Sequence, residues 1–148
     1  MAIKVRELHH HAIRVPPASA KAVQQFYSEV LGLEADAGRP NIPGVPGAWM
    51  YVGAQGGPTA QIHIMGIDGV PSFAKSAQHD PTRFHVALAV DNIQEAQAEL
   101  ERTKTPYWVL SGVLGPQSTQ VFLEDPAGNM VELHQMGTCR CNKLALKS

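Results

Sequence analysis

The feature that most constrains the fold of this chain is an internal repeat. The segments His10–Val15 and His85–Val90 each place a His two residues before an Ala and five residues before a Val, and they begin half a chain length apart. Both are short and rich in apolar or β-branched residues, and a turn or capping signal follows each, so both are predicted strands. A repeat of this length predicts two similar modules.

Each of these strands is followed by a predicted helix. In the first half, apolar residues at helical spacing predict a helix with Ser19 as N-cap and Gly32 as the stop. In the second half, Asn92 and Glu95 have the spacing of a capping box, and the helix is expected to end near Thr103. The apolar stripe of the first helix contains Val23, Phe26, Tyr27, Val30 and Leu31.

Short strands are predicted after each helix. They cover residues 49–52 and 61–65 in the first half, and 107–110, 120–123 and 130–135 in the second. A further strand near Glu34 would complete the first half, and the turn sequence Asp125–Asn129 joins the last two strands. Each half is therefore predicted to run strand, helix and about three strands, which is an α+β pattern.

The length of 148 residues fits one domain. Its expected parts are a first module at about 6–66, a linker rich in Gly, Pro, Ser and Asp at 67–82, a second module at about 83–136 and a tail at 137–148.

Charge and composition exclude several classes of function. The net charge is −1 and 44% of the residues are hydrophobic, so we expect a packed domain without the positive field that nucleic acid or anionic membranes require. The first eleven residues lack the apolar core of a secretion signal, which predicts a soluble, cytoplasmic protein. A disulfide between Cys139 and Cys141 would be strained, and the pair is interpreted as part of an ordinary tail.

The repeat also relates four polar side chains that suit a metal ion. Gln61–Ile64 and Met130–Leu133 share one pattern, in which His63 takes the place of Glu132. If the first and last strands of each half curve around one concavity, the candidate ligands are His10, His63, His85 and Glu132. Imidazole and carboxylate groups suit Fe, Mn, Co, Ni or Zn, and the lack of thiolates argues against a structural zinc–sulfur site. Two open octahedral positions would accept a substrate that chelates through two oxygens.

The other histidines and three further side chains have alternative interpretations. His9 and His11 point away from His10 in a regular strand and are not expected to be ligands. His134 shares the face of Glu132, where it either supports the site from outside the ligand set or is a solvated or core-edge histidine near the end of the strand. Arg14 shares the face of His10, so it either binds an anionic substrate or forms an edge salt bridge. Trp49 and Tyr51 either wall the pocket or belong to the core.

Several motifs together resemble the vicinal-oxygen-chelate superfamily, and most closely its glyoxalase I-like members. The superfamily includes glyoxalase I, methylmalonyl-CoA epimerase, fosfomycin-resistance thiol transferases, extradiol dioxygenases and bleomycin-resistance binding proteins. The residues that carry the resemblance are His10-x-Ala-Ile-Arg-Val, Phe26-Tyr27-x-x-Val-Leu-Gly-Leu, His63, His85-Val-Ala-Leu and Asp125-Pro-x-Gly-Asn-x-Val-Glu132.

The resemblance implies two paired βαβββ modules that form an eight-stranded cup, closed within one chain or across a homodimer. It also implies a divalent metal on the floor of the cup, held by His10, His63, His85 and Glu132, and a small-molecule substrate. One position departs from the pattern, because glyoxalase I has a carboxylate and the epimerase an amide where this chain has His63.

Two catalytic functions and one binding function remain open. In the first, a metal-dependent lyase or isomerase, Glu132 removes a carbon-bound proton and the metal stabilises the enediolate. In the second, an extradiol ring-cleaving dioxygenase, His63 moves protons beside the bound metal. The third is a non-catalytic protein that binds a small molecule such as an antibiotic.

Overall fold

The computed structural model describes residues 2–53, 60–112 and 119–137, and Cys139 and Cys141 lie outside them. The described residues form an α+β fold, as predicted. Its seven strands are β1 (Val5–Val15), β2 (Gly47–Tyr51), β3 (Gln61–Gly66), β4 (His85–Val90), β5 (Trp108–Ser111), β6 (Thr119–Glu124) and β7 (Met130–Gln135). The helices are α1 (Ala20–Gln25) and α2 (Ile93–Arg102). A 3₁₀ turn at Pro17–Ser19 precedes α1, and a π-helical turn at Phe26–Val30 follows it.

The chain divides into two compact units, and each is described by itself. The first-half unit contains His10–Phe84, and the second-half unit combines Met1–His9 with His85–Ser148. The division falls inside β1, so His9 and His10 belong to different units although they are neighbours in one strand.

In the first-half unit the strand order is β2-β3-β1, with β3 parallel to β1 and antiparallel to β2. Ala48, Met50 and Ile64 form the buried core of this unit, and residues of α1 and β1 pack against them. The predicted strand near Glu34 is present only as a single antiparallel bridge between Ala35 and Met50.

The first helix differs from its prediction. α1 has only six residues, Ser19 forms no capping hydrogen bond through its side chain, and the chain continues as the π-helical turn. A π turn adds a residue to the helical period, which rotates the following side chains away from the predicted stripe. Phe26, Val30 and Leu31 of that stripe are exposed. Gly32 ends the helix at φ +72°, as expected for a C-terminal glycine.

In the second-half unit the order β4-β7-β6-β5 places β7 between a parallel neighbour, β4, and an antiparallel neighbour, β6. The Asn92 side chain accepts the backbone N–H of Glu95 at 3.0 Å and caps α2, which ends beside Thr103, as predicted. The buried core of this unit consists of Val90, Ile93, Ala96, Leu100, Val121 and Leu133.

Among the described residues, neither helix is long and apolar enough to span a bilayer.

Candidate functional site

The two units place their candidate ligands in the same strand register. In the first-half unit His10 on β1 pairs with Gln61 on β3, and His63 lies two residues beyond that partner. In the second-half unit His85 on β4 pairs with Met130 on β7, and Glu132 lies two residues beyond it. Both pairings are parallel, so each unit presents a histidine and a second polar side chain with the same stagger on adjacent strands.

His63 lies in a stack of aromatic rings on the central strand of the first-half unit. Its ring centroid lies 3.7 Å from that of His10 and 4.3 Å from that of Trp49, with interplanar angles of 13° and 7°. The three side chains are buried. The structure therefore brings together the two predicted ligands of this unit, and Trp49 stacks on one of them, His63.

A polar chain leads from His63 to a residue that sequence reasoning missed. His63 Nε2 lies 2.9 Å from Gln61 Oε1, and Gln61 Nε2 donates to Asp36 Oδ2 at 3.1 Å. Asp36 also accepts the backbone N–H of Gly38 at 2.8 Å. The alternation of β3 places Gln61 on the face of His63, but no sequence signal connects Asp36 to this strand.

Glu132 is the polar centre of the second-half unit. Its Oε1 lies 2.9 Å from Nε2 of His85, and its Oε2 accepts a hydrogen bond from the Gln120 amide at 3.3 Å. Glu132 is only 1% exposed. The structure thus brings together the two sequence-predicted ligands of this unit as well.

His134 and His9 extend this cluster. His134 Nε2 contacts Glu132 Oε2, and the His9 ring stacks on His134 with centroids 4.5 Å apart and planes inclined by 6°. Both histidines are buried, which excludes the solvated alternative for His134. The two histidines that flank His10 differ in their surroundings, because His9 packs inside the second-half unit while His11 is exposed.

In both units an aromatic residue on the neighbouring antiparallel strand lies opposite the second candidate ligand. Trp49 on β2 lies opposite His63, and Phe122 on β6 lies opposite Glu132. Phe122 meets His85 edge to face at 5.9 Å and stacks on Trp108 at 4.2 Å. Phe122 and Trp108 were not predicted as site neighbours, although Phe122 occupies the position of Trp49 in the repeat.

Arg14 is engaged with the segment that follows β3. Its guanidinium lies 3.6 Å from the Asp80 carboxylate and donates to the carbonyl oxygens of Ile67 and Gly69. These contacts match the salt-bridge interpretation of Arg14, and its binding of an anionic substrate stays a prediction. Tyr51 is half-buried and lies opposite Gln61 in the β2–β3 register, and its contact with a substrate is likewise a prediction.

The donor types around Glu132 suit a divalent cation. Its oxygens face the imidazole nitrogens of His85 and His134, and Oε2 also accepts a hydrogen bond from the Gln120 amide. Imidazole nitrogen and carboxylate oxygen are ligands that first-row transition metals accept.

Comparison with known families gives a match over most of the chain. The model of the Glyoxalase/Bleomycin resistance protein/Dioxygenase superfamily matches residues 7–133. That span includes His10, His63, His85 and Glu132. Comparison with curated proteins gives no match.

Solved structures with a similar fold include several methylmalonyl-CoA epimerases. One, crystallised as the selenomethionine protein, has a TM-score of 0.66 at 23% identity, covering 91% of this chain and 98% of its own. A variant of the Streptomyces coelicolor enzyme in complex with 2-nitronate-propionyl-CoA has a TM-score of 0.64 at 18% identity, covering 89% and 95%. The Mycobacterium tuberculosis enzyme has a TM-score of 0.63 at 19% identity, covering 91% of each chain.

Proposed function

The chain belongs to the Glyoxalase/Bleomycin resistance protein/Dioxygenase superfamily, and on that premise we propose that it is a metal-dependent lyase or isomerase. Its substrate is a small molecule with two vicinal oxygens. The metal ligands are His10, His63, His85 and Glu132. The finer assignment, a glyoxalase I-like reaction that begins by removing a carbon-bound proton, is part of this proposal.

The observation that carries the proposal is the equal register of the two ligand pairs. His10 with His63 and His85 with Glu132 have the same stagger on parallel strands of the two units. Each pair therefore combines a buried histidine with a second buried polar group that could bind the same ion. The repetition therefore favours a shared function over four separate packing roles.

The side chains divide into two roles in this reaction. Bound at the site, a divalent ion would act as a Lewis acid toward the substrate oxygens. Glu132 is the one carboxylate of the set, so it is the residue expected to accept the proton from the substrate carbon. The imidazoles of His10 and His85 hold the ion, and His63 is the second candidate for proton transfer.

The experiment that tests this function measures proton exchange in two classes of substrate by the purified protein, with and without Mn²⁺ or Zn²⁺. The panel contains α-hydroxycarbonyl compounds and, because an epimerase of the same fold was crystallised with a CoA ester, a branched acyl-CoA thioester. We expect metal-dependent incorporation of solvent deuterium at the substrate carbon, measured by mass spectrometry.

Two other outcomes would replace the proposed reaction. Oxygen uptake with a catechol in the presence of Fe²⁺ would identify the extradiol dioxygenase alternative. Tight binding of an apolar ligand by metal-free protein, without exchange or oxygen uptake, would identify a binding protein. A homodimer and a cytoplasmic location remain predictions, and analytical ultracentrifugation tests the first of them.

His134 is expected to influence metal affinity through Glu132. Its Nε2 contacts Glu132 Oε2 while Oε1 faces His85, so His134 is placed to orient the carboxylate. His134→Leu should weaken Mn²⁺ binding by about 10–100-fold, the range typical of groups that orient a ligand. His134→Gln retains a donor and should retain most of the affinity, measured by isothermal titration calorimetry.

A structural role for His134 gives a different result. In that case both variants lower the thermal unfolding temperature and the metal affinity together. The matched control is His11→Leu, which alters an exposed histidine and should change neither quantity.

A further inference from the structure

The buried polar chain from Asp36 to His63 has a defined direction of donation. A carboxylate only accepts hydrogen bonds, and both oxygens of Asp36 face N–H groups, those of Gly38 and of the Gln61 amide. The Gln61 amide therefore turns its NH₂ toward Asp36 and its carbonyl oxygen toward His63. The three side chains are buried, so a wrongly oriented group would leave a hydrogen bond unmade away from water, which is unfavourable.

This direction determines the position of the proton on His63. Gln61 Oε1 lies 2.9 Å from His63 Nε2 and is an acceptor only, so the proton between them belongs to Nε2. A neutral imidazole protonated on Nε2 carries its lone pair on Nδ1.

The ring stack holds His63 in the orientation that this hydrogen bond needs. Trp49 and His10 lie against its two faces with nearly parallel planes. Turning the ring by 180° about its Cβ–Cγ bond would keep the stack but place a carbon where Nε2 meets Gln61. The hydrogen bond therefore selects one of two ring orientations that pack alike.

We propose that Asp36 and Gln61 are positioning residues that hold His63 in the Nε2-protonated tautomer, so that His63 binds a metal or accepts a proton through Nδ1. The tautomer itself is independent of any metal. Its use as a ligand or base rests on the proposed function.

The test is an NMR measurement on metal-free protein labelled with ¹⁵N-histidine. Spectra are recorded at about pH 8, above the ordinary pKa of histidine near 6.5, and the His63 signals are identified by their loss in His63→Gln. Long-range ¹H–¹⁵N correlations distinguish the protonated ring nitrogen from the one with the lone pair. We expect Nε2 to be protonated, and a proton on Nδ1 would overturn the proposal.

Asp36→Asn is expected to reverse the tautomer. The asparagine oxygen stays with the Gly38 N–H, so its NH₂ faces Gln61 and the Gln61 amide turns over. The NH₂ of Gln61 then faces His63 Nε2, which must carry the lone pair. A folded variant with an unchanged His63 tautomer would contradict the proposal.

A control and a second variant separate this effect from charge and from misfolding. Asp68→Asn makes the same charge change at an exposed residue and should leave the His63 spectrum as it is. If Asp36→Asn does not fold, Gln61→Leu serves instead. It removes the acceptor and should allow both tautomers, whereas a retained single Nε2-protonated form would count against Gln61.

Addition of Zn²⁺ to the labelled protein separates this inference from the proposed function. If Zn²⁺ changes the chemical shift of Nδ1 while Nε2 stays protonated, the result supports both the inference and the proposed function. The affinity of Asp36→Asn for Zn²⁺ should then fall by about 10–100-fold relative to the wild-type protein. Loss of the Nε2 proton on Zn²⁺ binding overturns the inference. Absence of any Zn²⁺ effect on His63 contradicts its role as a ligand in the proposed function, while the tautomer measured without metal still supports the inference.

Discussion

His85→Ala is expected to abolish stoichiometric binding of a divalent metal ion. His85 is buried and its Nε2 lies 2.9 Å from Glu132 Oε1, so the substitution removes one ligand and a neighbour of a second ligand, Glu132. The affinity for Mn²⁺ or Zn²⁺ should fall by more than about 100-fold, beyond the 10–100-fold typical of residues that only orient a ligand. Metal content after dialysis against a chelator, measured by inductively coupled plasma mass spectrometry, gives the result.

Two further variants make the result specific. His85→Gln preserves much of the side-chain volume, which separates the loss of a ligand from the effect of a cavity. His11→Ala alters an exposed histidine of β1 and should retain full metal. A folded His85→Ala protein with wild-type metal content and affinity would show that the four-residue site is wrong.

The positions of the candidate ligands in the strands could be predicted because they depend on a short repeating pattern. A histidine followed by alternating apolar residues determines both the strand and the face on which the side chain lies. The repeat then transfers this assignment from His85 to His10, and the observed registers of β1 with β3 and of β4 with β7 agree with it.

The first helix could not be predicted in the same detail because its geometry depends on packing. The spacing of Val23, Phe26 and Val30 is regular, yet a π turn begins at Phe26, and both Phe26 and Val30 are exposed. A sequence pattern gives the helical period only if the hydrogen bonding stays i to i+4. The change to a π turn is decided by contacts that the pattern does not contain.

The groups around the candidate ligands were missed for two different reasons. Asp36 lies in a segment without regular structure, and its contact with Gln61 joins residues far apart in the sequence. His9 precedes His10 in β1, but alternation alone does not reveal that His9 is buried within the second-half unit and stacks on His134. Long-range contacts of this kind require the pairing of strands, which one sequence does not specify.

Glu132→Gln is expected to remove most of the proton transfer while retaining part of the metal binding. The amide keeps the shape of the side chain and one oxygen ligand, but it is not a base. The Gln120 amide donates to Oε2, so the amide oxygen of the variant should turn toward it and leave its NH₂ near His85. Metal affinity should therefore fall as well, and the comparison is made with metal at saturation.

At saturating Mn²⁺, the rate of solvent-deuterium exchange at the substrate carbon should fall by about 10²–10⁴-fold in Glu132→Gln, the usual contribution of a general base. Gln120→Leu is the matched control, because it removes a hydrogen bond to Glu132 and keeps the carboxylate. Its exchange rate should remain far above that of Glu132→Gln.

Exchange at the wild-type rate in Glu132→Gln would mean that Glu132 is not the base. His63 then becomes the candidate, and oxygen consumption with a catechol by the same variant would favour the dioxygenase reaction.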